Sequence, residues 1–150
     1  MVPHEHQPPL ISTPEAASLT IKRGTPVKVD ANGRIDAVAA TFTEIAGISA
    51  EDGSNGSAGA NDILWQVITP GSKWRVALLE ALAQTNLGDT LVGFVKDTTT
   101  GFWYASTADT GAQARIIDYV RGPLNTGTVA IGDTKVPVIV VFEPTLLNFG

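Results

Sequence analysis

Between Leu19 and Asp30 apolar and polar residues alternate: Leu19, Ile21, Val27 and Val29 are apolar, while Thr20, Lys22, Lys28 and Asp30 are polar. A side-chain period of two places one set on each face of a pleated strand, so this stretch is committed to half-buried β structure and predicts a hairpin. Arg23-Gly24-Thr25-Pro26 supplies its first turn. Ala31-Asn32-Gly33-Arg34 supplies a second, because Asn and Gly both tolerate the positive φ of tight hairpin turns. Ile35 to Ala39 is the next predicted strand. Ile45 to Ala50 repeats the signature, with Gly47 as a bulge or a point of close backbone approach.

The same short phrases continue downstream. Glu51 to Asn61, EDGSNGSAGAN, is too rich in Gly, Ser and Asn for a regular element and reads as an exposed loop. Ile63 to Ile68 and Trp74 to Leu78 flank Thr69-Pro70-Gly71-Ser72-Lys73, which predicts two strands joined by a Pro-Gly turn. Leu79 to Gln84 has high helix propensity, and Asn86 with Gly88 stops it, so one short helix is expected there. Leu91 to Lys96 and Phe102 to Ser106 predict a hairpin whose aromatic residues pair across the strands. Arg115 to Val120 follows as a strand. Val136 to Phe142, nearly all apolar and β-branched, reads as a strand buried on both faces, with Pro137 near its start.

Ahead of these strands, residues 1–18 read MVPHEHQPPLISTPEAAS, and four prolines favour extended polyproline II backbone over regular hydrogen bonding. This predicts an extended N-terminal arm, either a disordered tail or a segment that orders on a neighbouring subunit, with a β-rich domain over 19–150. Some fifteen residues at about 3.1 Å each reach on the order of 45 Å, enough to touch a neighbouring subunit. Val2, Pro3, Pro8, Pro9, Leu10, Ile11 and Pro14 are the candidate contact residues, Leu10 and Ile11 being the apolar anchors. The expected fold is mainly β: a single compact β-barrel or β-tulip-like domain of about ten short strands with at most one short helix.

Composition narrows the chemistry. A chain of 150 residues with 43% hydrophobic and 17% charged residues has ample material for one core. The net charge of -5 and scattered basic residues argue against nucleic-acid binding. No run approaches the roughly 20 apolar residues of a membrane span, and the N-terminus lacks the pattern of a signal peptide, so synthesis in the cytoplasm is expected. There is no cysteine, hence neither a disulfide framework nor a thiolate site. The two histidines, His4 and His6, both lie in the proline-rich arm, where neither can serve as a rigidly held base. His4-Glu5-His6 offers two ligands on a loose segment, too few for a metal site. Residues 51–56 lack the ligand spacing of a calcium loop, and Gly53, Gly56 and Gly59 lack the context of a phosphate cradle. The expectation is therefore no enzyme, no catalytic residues, no metal, no cofactor and no small-molecule substrate. Trp65, Trp74, Trp103 and Tyr104 suit a core better than a sugar platform, with Trp103 the best candidate for an exposed aromatic because alternation sets it opposite Phe102 and Tyr104.

The order of the phrases carries a resemblance. After the arm come SLTIKRGTPVKVDANGRIDAVAA, then IAGISAEDGSNGSAGAND, then ILWQVITPGSKWRVALLEALAQTNLGDTLVG, and a closing GDTKVPVIVVFEP. Over residues 18–145 this resembles the head decoration, or capsid cement, proteins of tailed bacteriophages. The resemblance implies a β-tulip-like domain that trimerises at threefold or quasi-threefold positions on the outer surface of the virion capsid. It also implies the major capsid protein and further copies of the chain as partners. Two other functions fit the same sequence: another β-rich virion module, such as a tail or fibre component, and a carbohydrate-binding domain using Trp103 and Tyr104.

Overall fold

Alternation and turn residues fold the chain into short antiparallel strands, seen here in a computed structural model that describes residues 1–3, 8–39, 42, 44–87, 90–108, 113–120, 123–124, 127–128 and 130–144. The strands are β1 (Val2–Pro3), β2 (Leu10–Pro14), β3 (Pro26–Val29), β4 (Ile35–Ala37), β5 (Gly47–Ser49), β6 (Asp62–Val67), β7 (Lys73–Ala77), β8 (Thr90–Lys96), β9 (Trp103–Ser106), β10 (Ala114–Tyr119), β11 (Pro123–Leu124), β12 (Gly127–Thr128) and β13 (Pro137–Phe142). The mainly β expectation is met. The strands lie in two antiparallel sheets rather than one closed barrel, with β11 and β12 as a separate two-stranded ribbon. One sheet has the order β2-β6-β5-β3-β4 and the other β1-β7-β13-β10-β8-β9. Each curls: a single parallel bridge joins Glu15 to Ile35 in the first, and another joins Leu78 to Ala105 in the second. Neither bridge extends into a ladder.

Two apolar clusters follow from this arrangement. Leu19, Ile21, Val27, Ile35, Ala46, Ile63 and Trp65 fill the curl of the five-stranded sheet. The larger cluster joins Trp74, Val76, Val92, Phe94, Ile116, Val138, Val140 and Phe142 of the six-stranded sheet to Phe42, Ile45 and Ile48. Phe94 stacks on Phe42 and Phe142 at centroid distances of 5.9 and 5.3 Å. Strand β13 runs between β7 and β10 with both edges paired, which explains its unbroken β-branched sequence.

Several local expectations change. Leu19 and Ile21 do not pair with β3. Their carbonyls accept the backbone N–H groups of Asn55 and Gly53 at 3.0 and 2.9 Å, so the glycine-rich loop lies against them. Glycine permits this, because a Cβ at Gly53 would sit 2.3 Å from the Leu19 carbonyl oxygen. The turn after β3 is not a two-residue turn at Asn-Gly. Asp30 organises five residues, its Oδ1 accepting the N–H groups of Asn32 and Arg34 at 2.8 and 2.9 Å. The turn at Pro70-Gly71 joins β6 and β7 without pairing them, and carries the chain from one sheet to the other. The helix expected over Leu79 to Gln84 is absent; only a 3-10 turn at Gln84–Asn86 forms. The backbone N–H groups of the segment before it are taken by distant partners, Leu79 N–H by Ala105 on β9 and Leu82 N–H by Asp133 in a later turn, both at 2.8 Å, and tertiary bonds outweigh intrinsic propensity.

The arm also differs from a free tether. Leu10–Pro14 is an edge strand of the five-stranded sheet, in register from Leu10 opposite Gln66 to Pro14 opposite Asp62. An edge strand needs partners on one side only, which accommodates proline. Val2 and Pro3 similarly edge the other sheet, opposite Arg75 and Trp74.

Candidate functional site

Where the two arm strands reach the two sheets, they leave an open groove of about 980 Å³. Its walls come from four places: Met1 with Val2 and Pro3 of β1; Leu10, Leu64 and Gln66 on the outer face of the five-stranded sheet; Arg75 on β7; and Arg23, Gly24, Ser49, Ala50 and Phe102. Register explains the pairing of the walls. Leu10 lies opposite Gln66 and Ser12 opposite Leu64, so Leu10, Leu64 and Gln66 share the face that points away from Trp65 and Ile63. On β7 the same alternation buries Trp74 and Val76 and turns Arg75 outward.

The groove is open, and its surface is about equally apolar and polar. Its apolar part includes four exposed large side chains, with Val2 42%, Leu10 55%, Leu64 38% and Phe102 57% accessible. The groove is also cationic on a chain whose net charge is -5. Arg75 stands in register with Val2, and Arg23 precedes Gly24, whose carbonyl accepts a hydrogen bond from the Met1 nitrogen at 2.8 Å. Both arginines thus lie in the groove lining close to the first strand. Among the described residues neither has an ion-pair partner; Asp52, the nearest acid in the Arg23 turn, takes the Lys22 ammonium at 3.2 Å and the Arg23 backbone N–H at 2.8 Å.

A second polar constellation holds the arm in place. Glu15 is fully buried, and its carboxylate accepts hydrogen bonds from the Ser54 hydroxyl, from Ser54 N–H at 3.0 Å and from Asn61 Nδ2 at 3.3 Å. Its backbone completes the junction, Glu15 N–H donating to Asn61 and Gly59 N–H donating to Glu15, each at 2.9 Å. The Ser54 hydroxyl, ahead of the other donors, holds the carboxyl below its ordinary value of 4.5 against the opposing effect of burial. In the other sheet, burial pushes the Glu80 carboxyl up, but the Ser106 hydroxyl at 2.5 Å and the Thr107 N–H at 3.1 Å outweigh it and leave it below its ordinary value. Both carboxylates tie loops to strands, and among the described residues no group of three or more His, Asp and Glu side chains is placed to hold a metal ion.

Of the candidate contact residues, Val2, Pro3 and Leu10 come together in the groove. Ile11 is 41% accessible on the same edge strand, while Pro8 is half-buried and Pro9 and Pro14 are exposed outside the groove lining. Trp103 is not the exposed aromatic. It is only 6% accessible and packs edge-on against Phe42 at 6.1 Å, and Phe102 takes the outward position instead. Alternation separated the two residues correctly, but its phase was reversed. A carbohydrate platform built on Trp103 is thereby lost. His4, Glu5 and His6 lie outside the described residues. Sequence reasoning missed Leu64, because it sits between Ile63 and Trp65 in a strand read as core, and missed Arg23 and Arg75, because nothing in one strand reports its neighbour across two sheets.

The fold and groove define a class: a two-sheet antiparallel β domain with an exposed apolar and cationic surface at the seam of its N-terminal strands. No protein-family model, curated protein or solved structure matches the chain.

Proposed function

We propose that the chain is a structural virion protein of the decoration class, binding the outer surface of a phage capsid as a homotrimer with the major capsid protein as partner. The observation that carries this reading is the open groove with exposed apolar side chains beside the arm strands, a surface of the kind that partner chains cover. The order of strand and turn phrases supports it. A cyclic trimer engages the lattice through three copies of one surface, and simultaneous contact raises effective concentration without a strong single contact. Binding across several capsid subunits then stabilises the intact shell over the ruptured one by mass action.

The test is light-scattering mass of the purified protein, followed by co-sedimentation with expanded phage heads that lack a decoration protein. A trimer that pellets with heads and saturates is the expected result. A monomer that stays in the supernatant at all concentrations overturns the proposal.

A further inference from the structure

We infer that the groove binds an extended, apolar peptide segment carrying carboxylates, contributed by a partner protein. This rests on the decoration reading only for the identity of that partner. The chemistry comes from the lining. Val2, Leu10, Leu64 and Phe102 offer methyl and ring surface, which suits leucine- or valine-like side chains and is poorly matched to the hydroxyls of a sugar. Arg23 and Arg75, both in the lining, supply the charge complement for carboxylates on such a segment. A basic segment meets two like charges there and is rejected. Strand β1 in the lining is a two-residue edge strand paired with β7 on one side only, and an edge of this kind favours an extended segment as its neighbour.

The occupant is argued from charge. On a chain of net charge -5, two outward arginines beside four exposed apolar residues run against the overall field, and the site selects acidic over basic ligands of equal hydrophobicity. Arg23 and Arg75 are exposed, and their backbones are held independently of their own side chains, Arg23 by Asp52 in its turn and Arg75 by pairing within β7, so the double replacement is expected to leave the fold intact and to isolate their electrostatic role.

The experiment is a fluorescence anisotropy titration of the full chain with two labelled, blocked peptides, DLTVLE and its charge-reversed counterpart KLTVLK. The expected result is saturable binding of the acidic peptide, at least about fivefold tighter than the basic one, with the preference shrinking as salt is raised. In an Arg23→Ala/Arg75→Ala double variant with unchanged urea midpoint the preference disappears, and Phe102→Ser weakens binding of both peptides. Equal affinity for the two peptides, no saturable binding of DLTVLE, or an unchanged preference in the double variant overturns the inference. So does a glycan-array signal that depends on Phe102 in the absence of peptide selectivity, which would assign the groove to carbohydrate. Heads are absent from this assay, so the decoration reading fails separately: peptide selectivity without head binding keeps the groove and discards the capsid partner. Head binding without peptide selectivity does the reverse.

Discussion

Gln113 is the residue whose replacement reads most directly on how the two sheets are held together. It is 2% accessible, and its side chain ties the six-stranded sheet to the connection between β4 and β5: Oε1 accepts the N–H of Phe94 at 3.0 Å, and Nε2 donates to the carbonyl of Phe42 at 2.7 Å. The reason lies in strand lengths. Strand β10 pairs β8 only at Thr90, Leu91 and Val92, so Phe94, two residues further along, has no strand partner on that side. The glutamine amide stands in for the missing strand. Gln113→Leu keeps roughly the same volume and strands one buried donor and one buried acceptor. Each costs about 1–3 kcal/mol, and the added apolar burial returns about 1 kcal/mol, so the expected net loss is about 3 kcal/mol. With a urea m-value near 1.5 kcal/mol/M, the midpoint falls by about 2 M with the slope unchanged. Urea unfolding followed by tryptophan fluorescence and by far-ultraviolet circular dichroism measures it. A shift under about 0.3 M would mean that water satisfies both groups in the variant and that the glutamine does not make this tie.

Two further perturbations test other joints. Gly47→Ala places a Cβ 2.2 Å from the Gln66 carbonyl oxygen and 2.4 Å from the Trp65 ring, both on the paired strand β6. A loss of more than about 3 kcal/mol in urea unfolding is expected, and a near-neutral variant would show that β5 and β6 can separate freely. Glu15 has a folded pKa below 4.5, so its carboxylate contributes stability that is present in full above that value and is lost as pH falls through the folded pKa. The stability difference between the native chain and Glu15→Gln is therefore expected to be largest near neutrality and to shrink on acidification below about 4.5; a difference constant down to pH 3 refutes the assignment.

Most strands were legible because their signals are local. The β8–β9 hairpin and the buried β13 need only alternation, a turn and β-branched residues, all contiguous in the chain. Sheet membership was not legible. Strands β6 and β7 flank an ordinary Pro-Gly turn, yet they part into different sheets because Trp65 and Trp74 belong to different clusters, a choice made by distant residues. The segment after Leu79 misled for the same reason, its helix propensity being weaker than the bonds offered by Ala105 and Asp133. For the groove, the part of the lining that belongs to the N-terminal arm was visible in the sequence. The larger part lies on β5, β6, β7 and two turns that only the fold brings together.

The arm strands limit how a partner can use them. Residues 10–14 cannot leave the sheet without cost, since Thr13 Oγ1 accepts the indole N–H of buried Trp65 at 2.9 Å and Glu15 anchors the glycine-rich loop immediately beyond. Releasing them would strand a buried indole N–H and expose Ile63 and Trp65 along the edge of β6. Deleting Val2 to Ala17 is therefore expected to destabilise the five-stranded sheet as well as remove a contact surface, so loss of head binding by that truncation would not separate the two effects. Leu10→Ser with Ile11→Thr separates them. Both side chains are exposed, the backbone pairing with Gln66 and Trp65 is kept, and the unfolding free energy in urea is expected to stay within about 0.5 kcal/mol of the native chain. If partners engage the arm as a folded edge, this variant lowers head occupancy at full stability. Full occupancy would place the contact elsewhere on the domain.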